Sequence, residues 1–307
     1  MYAFIFPGQG SQKVGMGVEL AEASKTAADV FGEVDEALGQ HLFKLMAEGP
    51  ADELTMTANA QPAIMAHSIA VLRASGIDLA NKASFVAGHS LGEYSALAGA
   101  GAFELSTTAK LLRTRGDAMQ QAVPVGEGAM AALLGVDIAK AEEIAAACAE
   151  GEVCEVANDN DPGQVVLSGH KGAIERVVER AKDMGAKRAI LLPVSAPFHC
   201  SLMKPAADAM AVALADDVLV GPSVPLVANV TAEATQDVNT IRAQLIEQVT
   251  GRVRWRESVA WMADQGVTHF VEVGGKVLAG MVKKIAPDAA MTSLVTMGDL
   301  EAFAKEI

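Results

Sequence analysis

Cysteine is scarce in this chain: Cys148, Cys154 and Cys200 are the three in 307 residues. None forms a C-x-x-C pair, and no cysteine–histidine spacing suggests a zinc site, so no metal is expected. The set fits small buried or incidental thiols in a reducing compartment. Positive charge is short as well. Lys and Arg number 24 against 38 Asp and Glu, a formal charge of −14. That balance argues against nucleic acid, which attracts basic surfaces. Long apolar runs are missing, although 51% of residues are hydrophobic. No stretch approaches the roughly 20 apolar residues that a membrane span needs. The N-terminal stretch lacks a basic n-region and breaks at Pro7, so it reads as a first buried strand and not as a signal peptide. A soluble, cytoplasmic protein is expected. Internal repeats, low-complexity tracts and long flexible linkers are also lacking.

Two nucleotide signatures fail. Gly8-Gln9-Gly10 opens like a dinucleotide fingerprint, but Lys13 stands where the third glycine belongs. Gly275-Lys276 opens like a P-loop ending, yet Phe270 occupies the position of the earlier glycine. Neither a nicotinamide nor a nucleoside triphosphate is implied. The 14 methionines sit mostly in helical runs and read as core filler.

What is present is an alternation of short apolar runs with helical patterns, the signature of an α/β fold. Strands are expected over 2–6, 84–87, 129–134, 153–157, 164–168, 188–192, 226–228 and 269–272. Helices are expected over 61–75, 92–100, 106–122, 138–149, 171–183 and 253–265, with Pro62 in an N-terminal turn. From about Val125 to Val194 the order is strand, helix, strand, strand, helix, strand, the ferredoxin-like pattern. The chain therefore divides into a large discontinuous α/β unit, 1–124 with 195–307, and a small inserted unit, 125–194.

The strongest local signal is Gly88-His89-Ser90-Leu91-Gly92, a G-x-S-x-G motif between an apolar run and a helical one. That strand–turn–helix context is what a nucleophile elbow requires. The glycines permit a tight turn, and Ser90 Oγ is exposed at a helix N-terminus that favours a developing oxyanion. The Leu91 N–H is a natural donor to it. Serine needs a base. His89 adjoins it but points another way, and is expected to pack or bond locally. His41, His67, His170 and His269 lie in ordinary surroundings. His199 follows the inserted unit in Pro197-Phe198-His199-Cys200, on a loop able to lean over the elbow, which suits a general base.

With these residues the chain resembles the malonyl-CoA:acyl-carrier-protein transacylases and the related acyltransferase domains of polyketide and fatty-acid synthases. The resemblance rests on Gly8-Gln9-Gly10-Ser11-Gln12, Gly88-His89-Ser90-Leu91-Gly92-Glu93, Arg113 to Gly116, Gln164-Val165-Val166, and Pro197 to Met203, in that order. It implies a large α/β-hydrolase-like subdomain with an inserted small ferredoxin-like one. It implies Ser90 as nucleophile, His199 as general base and then acid, and the N–H groups of Gln9 and Leu91 as the oxyanion hole. The backbone carbonyl of Gln248 is implied as the group that orients the histidine, so no acidic third residue is needed. Arg115 is implied as the partner of the malonyl carboxylate, where a bidentate, charge-assisted pair contributes roughly 1.5–3 kcal/mol. Without the resemblance, its helical pattern reads as a solvated face. Phe198 is similar to the bulky residue of malonyl-selective relatives and is expected to crowd out a methyl-branched acyl group. Two departures stand out: Gly275 with no adjacent proline, and the Pro197-Phe198 pair, which looks closer to the synthase-domain form.

The expected partners are malonyl-CoA and holo acyl carrier protein, bound by a monomer with no nucleic acid or membrane partner. No cofactor is required beyond malonyl-CoA as substrate and the phosphopantetheine carried by the partner. An acidic carrier would be repelled by the net charge unless a local basic patch offsets it. Candidates are Arg252, Arg254 and Arg256, and Lys276, Lys283 and Lys284. The competing expectations are a serine hydrolase on the same scaffold and a non-catalytic carrier-binding module.

Overall fold

The computed structural model describes residues 1–194, 196–216 and 219–306; Ser195, in the segment leading to His199, lies outside them. Among the described residues, ten strands form two sheets. The larger contains β1 (Tyr2–Phe6), β2 (Ala83–Gly88), β7 (Leu226–Val227), β8 (Ala234–Thr235), β9 (His269–Val273) and β10 (Ala290–Leu294), in the order β10-β9-β1-β2-β7-β8. All neighbours are parallel except β7 and β8. The smaller contains β3 (Gly128–Leu134), β4 (Cys154–Asp161), β5 (Gln164–His170) and β6 (Arg188–Leu191), antiparallel throughout, in the order β4-β5-β3-β6.

The period-2 alternation of strand side chains explains both cores. In β1, Phe4 and Phe6 enter the apolar cluster on one face, while Ala3 and Ile5 join Trp255 and Phe270 on the other. A strand buried on both faces, between parallel neighbours, reads as the continuous apolar run seen at the N-terminus. The small sheet has one helix-covered face. There Ala131 and Leu133 of β3 pack with Ile144 and Ile174, from the helices Ile138–Ala149 and Lys171–Arg180. The alternate residues of β3, Met130 and Ala132, belong to the core of the large sheet. The second sheet therefore turns one face toward the larger body.

Several element boundaries differ from expectation. The helix expected at 61 starts at Thr57, so Pro62 sits inside it and not in its first turn. The Pro62 ring forfeits one intrahelical bond there, and the helix is held by burial of nearly its whole surface. Strand β4, expected to end at 157, continues through the polar run Asn158-Asp159-Asn160-Asp161. All four side chains are buried, the acids against Arg256 and Lys284. The helix expected over 171–183 ends at Arg180, that over 253–265 spans Trp255–Asp264, and β6 stops at Leu191. Helices Lys25–Leu38, Lys204–Asp216 and Val238–Glu247 and strand β10 were not expected. Strand β10 lies at the sheet edge with mixed polarity, so it lacks the apolar run that marks β1.

Candidate active site

Open parallel sheets bind ligands beyond the carboxyl ends of their strands, and the site follows that rule. Gln9 comes just after β1, Ser90 just after β2 and Asn229 just after β7. The β2 turn is tight enough to exclude any side chain at its two glycines. A Cβ on Gly88 would stand 1.9 Å from the Gly92 carbonyl carbon, and one on Gly92 would stand 2.3 Å from Phe6 O. Ser90 itself is held at φ 54°, in the left-handed region. Such a conformation in a non-glycine residue costs of order 1–3 kcal/mol and persists only where neighbours enforce it. Asn229 does so, accepting the Ser90 N–H at 2.8 Å and donating to Gly88 O at 2.7 Å.

His199 meets the serine from the other side. Its Nε2 lies 2.8 Å from Ser90 Oγ, and its Nδ1 lies 2.8 Å from the backbone oxygen of Gln248. A carbonyl can only accept, so Nδ1 carries the proton and Nε2 presents a lone pair to the Ser90 hydroxyl. His199 also has a positive φ, 57°. Its loop is fastened to the small sheet: Glu155 of β4 accepts from Ser201 N at 2.8 Å and Ser201 Oγ at 2.6 Å. Pro197 packs on the start of β3, where a Cβ on Gly128 would meet its ring at 2.4 Å. Burial, and then the charge of Arg115, depress the His199 pKa to about 3. The imidazole is thus neutral throughout the physiological range.

Arg115 is 1% exposed, so the solvated-face reading of its helix is overturned at this position. The helix Leu105–Gln121 packs closely on Thr57–Ser75 because Gly116 leaves room; a Cβ there would lie 2.6 Å from Ala58 Cα. Arg115 Nη1 donates to Gln61 Oε1 at 2.7 Å. Its Nη2 donates to Gln248 Oε1 at 2.7 Å and to Ser90 Oγ at 3.1 Å. The guanidinium lies over the Tyr94 ring, 5.8 Å from its centroid, and Nε has no acceptor among the described residues. A buried cation beside the serine oxygen is chemically suited to an anionic substituent.

Gln9 and Leu91 line the same cavity of about 290 Å³, and their N–H groups donate to no atom of the described residues. Met130, Asn158, Leu192 and Pro193, from the small sheet and the segment after it, complete the wall with Phe198. The structure therefore brings together Ser90, His199, Gln248, Gln9, Leu91, Arg115 and Phe198. His89 turns away, with Nε2 2.9 Å from Asn160 Oδ1 and its ring against Trp255. Sequence reasoning missed the Gln248 side chain, Gln61 and Asn229, whose signals are ordinary amides without a motif. It quoted Glu93 only as part of a string. That residue is buried, accepting from Gln248 Nε2 at 2.7 Å.

The basic clusters fare differently. Arg252 pairs with Glu142, Arg254 with Glu257 and Arg256 with Asp159, while Lys284 pairs with Asp161 and Lys276 with Asp299. Most of their charge is offset locally. Gly275 fits its turn because a Cβ would stand 2.8 Å from the Pro7 ring.

A serine at an elbow, an imidazole fixed by a carbonyl and a pair of free N–H groups define an acyl-transferring centre, and the chain belongs to the acyl transferase domain family, whose model matches residues 3–293. Within it, the chain is similar to the malonyl CoA-acyl carrier protein transacylase of Escherichia coli strain K12, 46% identical over 294 residues that cover 95% of each chain. The enzyme of the same name from Bacillus subtilis strain 168 is 48% identical over 288 residues, covering 92% of this chain and 90% of that one. Among solved structures, an acyl-carrier-protein S-malonyltransferase from Bartonella henselae superposes with a TM-score of 0.97 at 52% identity, covering 99% of this chain and 98% of its own. A malonyl-transacylase solved in complex with its type II PKS holo acyl-carrier protein gives 0.96 at 39% identity, covering 100% and 99%.

Proposed function

We infer that this acyltransferase moves a malonyl group from malonyl-CoA to the phosphopantetheine thiol of holo acyl carrier protein, through a malonyl ester on Ser90. The observation that carries the reading is the buried Arg115 guanidinium 3.1 Å from Ser90 Oγ, a cation within reach of the free carboxylate that a short dicarboxylic acyl group on Oγ would carry. The names of the relatives supply the two substrates.

In the first half-reaction, Ser90 Oγ attacks the thioester carbonyl and passes its proton to His199 Nε2. The oxyanion takes hydrogen bonds from the Gln9 and Leu91 N–H groups. Collapse expels the coenzyme A sulfur, which recovers the proton from the imidazolium. In the second, the pantetheine thiol gives its proton to His199, attacks the ester, and Ser90 Oγ leaves and is reprotonated. Arg115 also sets the timing. Its positive charge lowers the basicity of His199, and pairing with the malonyl carboxylate relieves that effect, so the base strengthens when the right substrate is in place. An acetyl group leaves the guanidinium unpaired and the base weak, which favours malonyl over acetyl. Phe198 narrows the cavity against a methyl-branched acyl chain.

The division into a catalytic body, 1–124 with 195–307, and an insert, 125–194, is part of this reading, with the insert holding the His199 loop and one wall. A monomeric cytoplasmic enzyme of fatty-acid or polyketide synthesis, needing no resident cofactor, fits it. The test is intact-protein mass spectrometry after brief exposure to malonyl-CoA, followed by holo carrier protein. The expected result is a malonyl adduct that Ser90→Ala lacks and that the carrier discharges. An adduct lost in buffer alone identifies a hydrolase instead.

A further inference from the structure

Arg115 makes no ion pair among the described residues, although it is buried and charged; its hydrogen bonds go to neutral oxygens. The nearest counter-charge is reached through an amide. Gln248 Oε1 accepts from Arg115 Nη2 at 2.7 Å, while Gln248 Nε2 donates to Glu93 Oε2 at 2.7 Å. Glu93 is 1% exposed, takes a second, longer bond from Asn229 N at 3.3 Å, and leaves Oε1 without a partner. A carboxylate this poorly solvated is tolerated because a cation stands one carboxamide away. The backbone carbonyl of the same Gln248 holds His199, so acid, guanidinium and base share one residue.

A second carboxylate at Arg115 disturbs that balance. Two carboxylates then share one guanidinium in a medium of low dielectric, where like charges oppose each other's ionisation. We propose that Glu93 is the resident counter-charge of Arg115, and that its ionisation sets how tightly the malonyl carboxylate is held: the acid must take a proton from solvent for the substrate anion to bind at full strength. This rests on the reading of Arg115 as the malonyl partner. Glu93 is a positioning residue, since it touches neither donor nor carrier. Burial raises its pKa to about 7, against the opposing effects of Gln248, Asn229 and Arg115, so the switch falls in the working pH range. The other groups facing it are Tyr94, whose hydroxyl is pushed still further from ionising, and the uncharged amides of Asn229 and Gln248. His199, beyond Gln248, is neutral in that range.

The device suits a reversible shuttle. Ionised Glu93 weakens the grip on malonate and eases release to the carrier.

Glu93→Gln tests it, because the new carboxamide oxygen still accepts from Gln248 and Asn229 while the charge is gone. KM for malonyl-CoA and for acetyl-CoA is measured from pH 5.5 to 8.5 in both proteins. For the wild type, malonyl-CoA KM is expected to climb up to about tenfold per unit of pK coupling as pH passes 7, with acetyl-CoA KM lacking that rise. Coenzyme A phosphates titrate in both donors and cancel in the ratio. Glu93→Gln is expected to hold malonyl-CoA tightly with no such climb. A wild-type slope retained in the variant, or the same slope with acetyl-CoA, overturns the proposal. If the variant folds poorly, proton uptake by the wild type decides: malonylation in two buffers of different ionisation enthalpy should take up a fraction of a proton at pH 7.5, and acetylation none. Equal uptake with both donors overturns the proposal. Arg115→Ala separates the two readings. Unchanged malonyl over acetyl preference in that variant refutes the Arg115 role itself, whereas lost preference with an unaltered Glu93→Gln slope refutes only the counter-charge.

Discussion

At the scale of single residues, the site depends on where protons rest. His199 has a pKa depressed to about 3 by burial and by Arg115, so acylation should show no acidic limb near pH 6.5. Removing Arg115 removes the second cause. Arg115→Ala, assayed by single-turnover acylation with acetyl-CoA, is expected to move an acidic limb upward from its wild-type position. The same variant should lose malonyl preference by roughly one to two orders of magnitude, the value of a charge-assisted bond of about 1.5–3 kcal/mol. Glu93 affects stability with the opposite sign from an ordinary salt-bridged acid. Its folded pKa of about 7 lies above the ordinary 4.5, so the unfolded chain releases that proton first as pH rises. Stability from this group is full below about pH 4.5 and declines through pH 7, by an amount on the order of 3 kcal/mol. Thermal melts of wild type against Glu93→Gln across that window should converge at the acid end and separate at the alkaline end.

At the scale of elements, two short segments carry the dyad, and both are held in left-handed conformations by contacts from elsewhere. The β2 elbow has no room for a methyl group at Gly88 or Gly92. Gly88→Ala is expected to lower stability by at least the roughly 1–3 kcal/mol typical of overpacking, read as a lower denaturation midpoint or as insoluble protein. The His199 loop is tied to β4 through Glu155 and Ser201. Ser201 is exposed and Glu155 only half-buried, so Glu155→Ala should change the melting temperature little. It should still slow acylation by roughly tenfold or more, since misplacing a catalytic group by about 1 Å is enough for such a loss. A rate that follows wild type would show that Pro197 packing alone fixes the loop.

At the scale of the whole molecule, the small sheet is docked by charges as well as by Met130 and Ala132. Asp159 and Asp161 of β4 are nearly fully buried and reach Arg256 and Lys284, on helices Trp255–Asp264 and Ala279–Ile285 of the larger body. Arg256 contacts Asp159 in a bidentate arrangement, with Nε to Oδ1 and Oδ2 at 3.1 and 3.0 Å and Nη2 to Oδ2 at 2.8 Å. Arg256→Ala strands a buried carboxylate and should cost toward the lower end of about 3–5 kcal/mol, because the guanidinium is partly solvated. Adding Asp159→Asn should recover much of the loss in a denaturant titration; no recovery would assign the effect to lost packing of the arginine stem.

The sequence alone determined the α/β class, the order of the small sheet's elements, the elbow around Ser90 and the candidacy of His199. These follow from local rules: strand and helix periods, the turn that glycines permit, and a histidine in a proline-flanked loop. The resemblance to the acyltransferases brought in Gln9, Gln248 and Arg115 through motif order. Tertiary structure alone decided that Arg115 is buried, that the Gln248 side chain joins it to Glu93, and that Asn158 to Asp161 continue a strand. In each case a polar residue looks solvent-facing until its partner is known, and the partner lies far along the chain: 133 positions from Arg115 to Gln248, 97 from Asp159 to Arg256. Periodicity records which residues share a face of one element. It carries no record of which distant element will satisfy a buried charge.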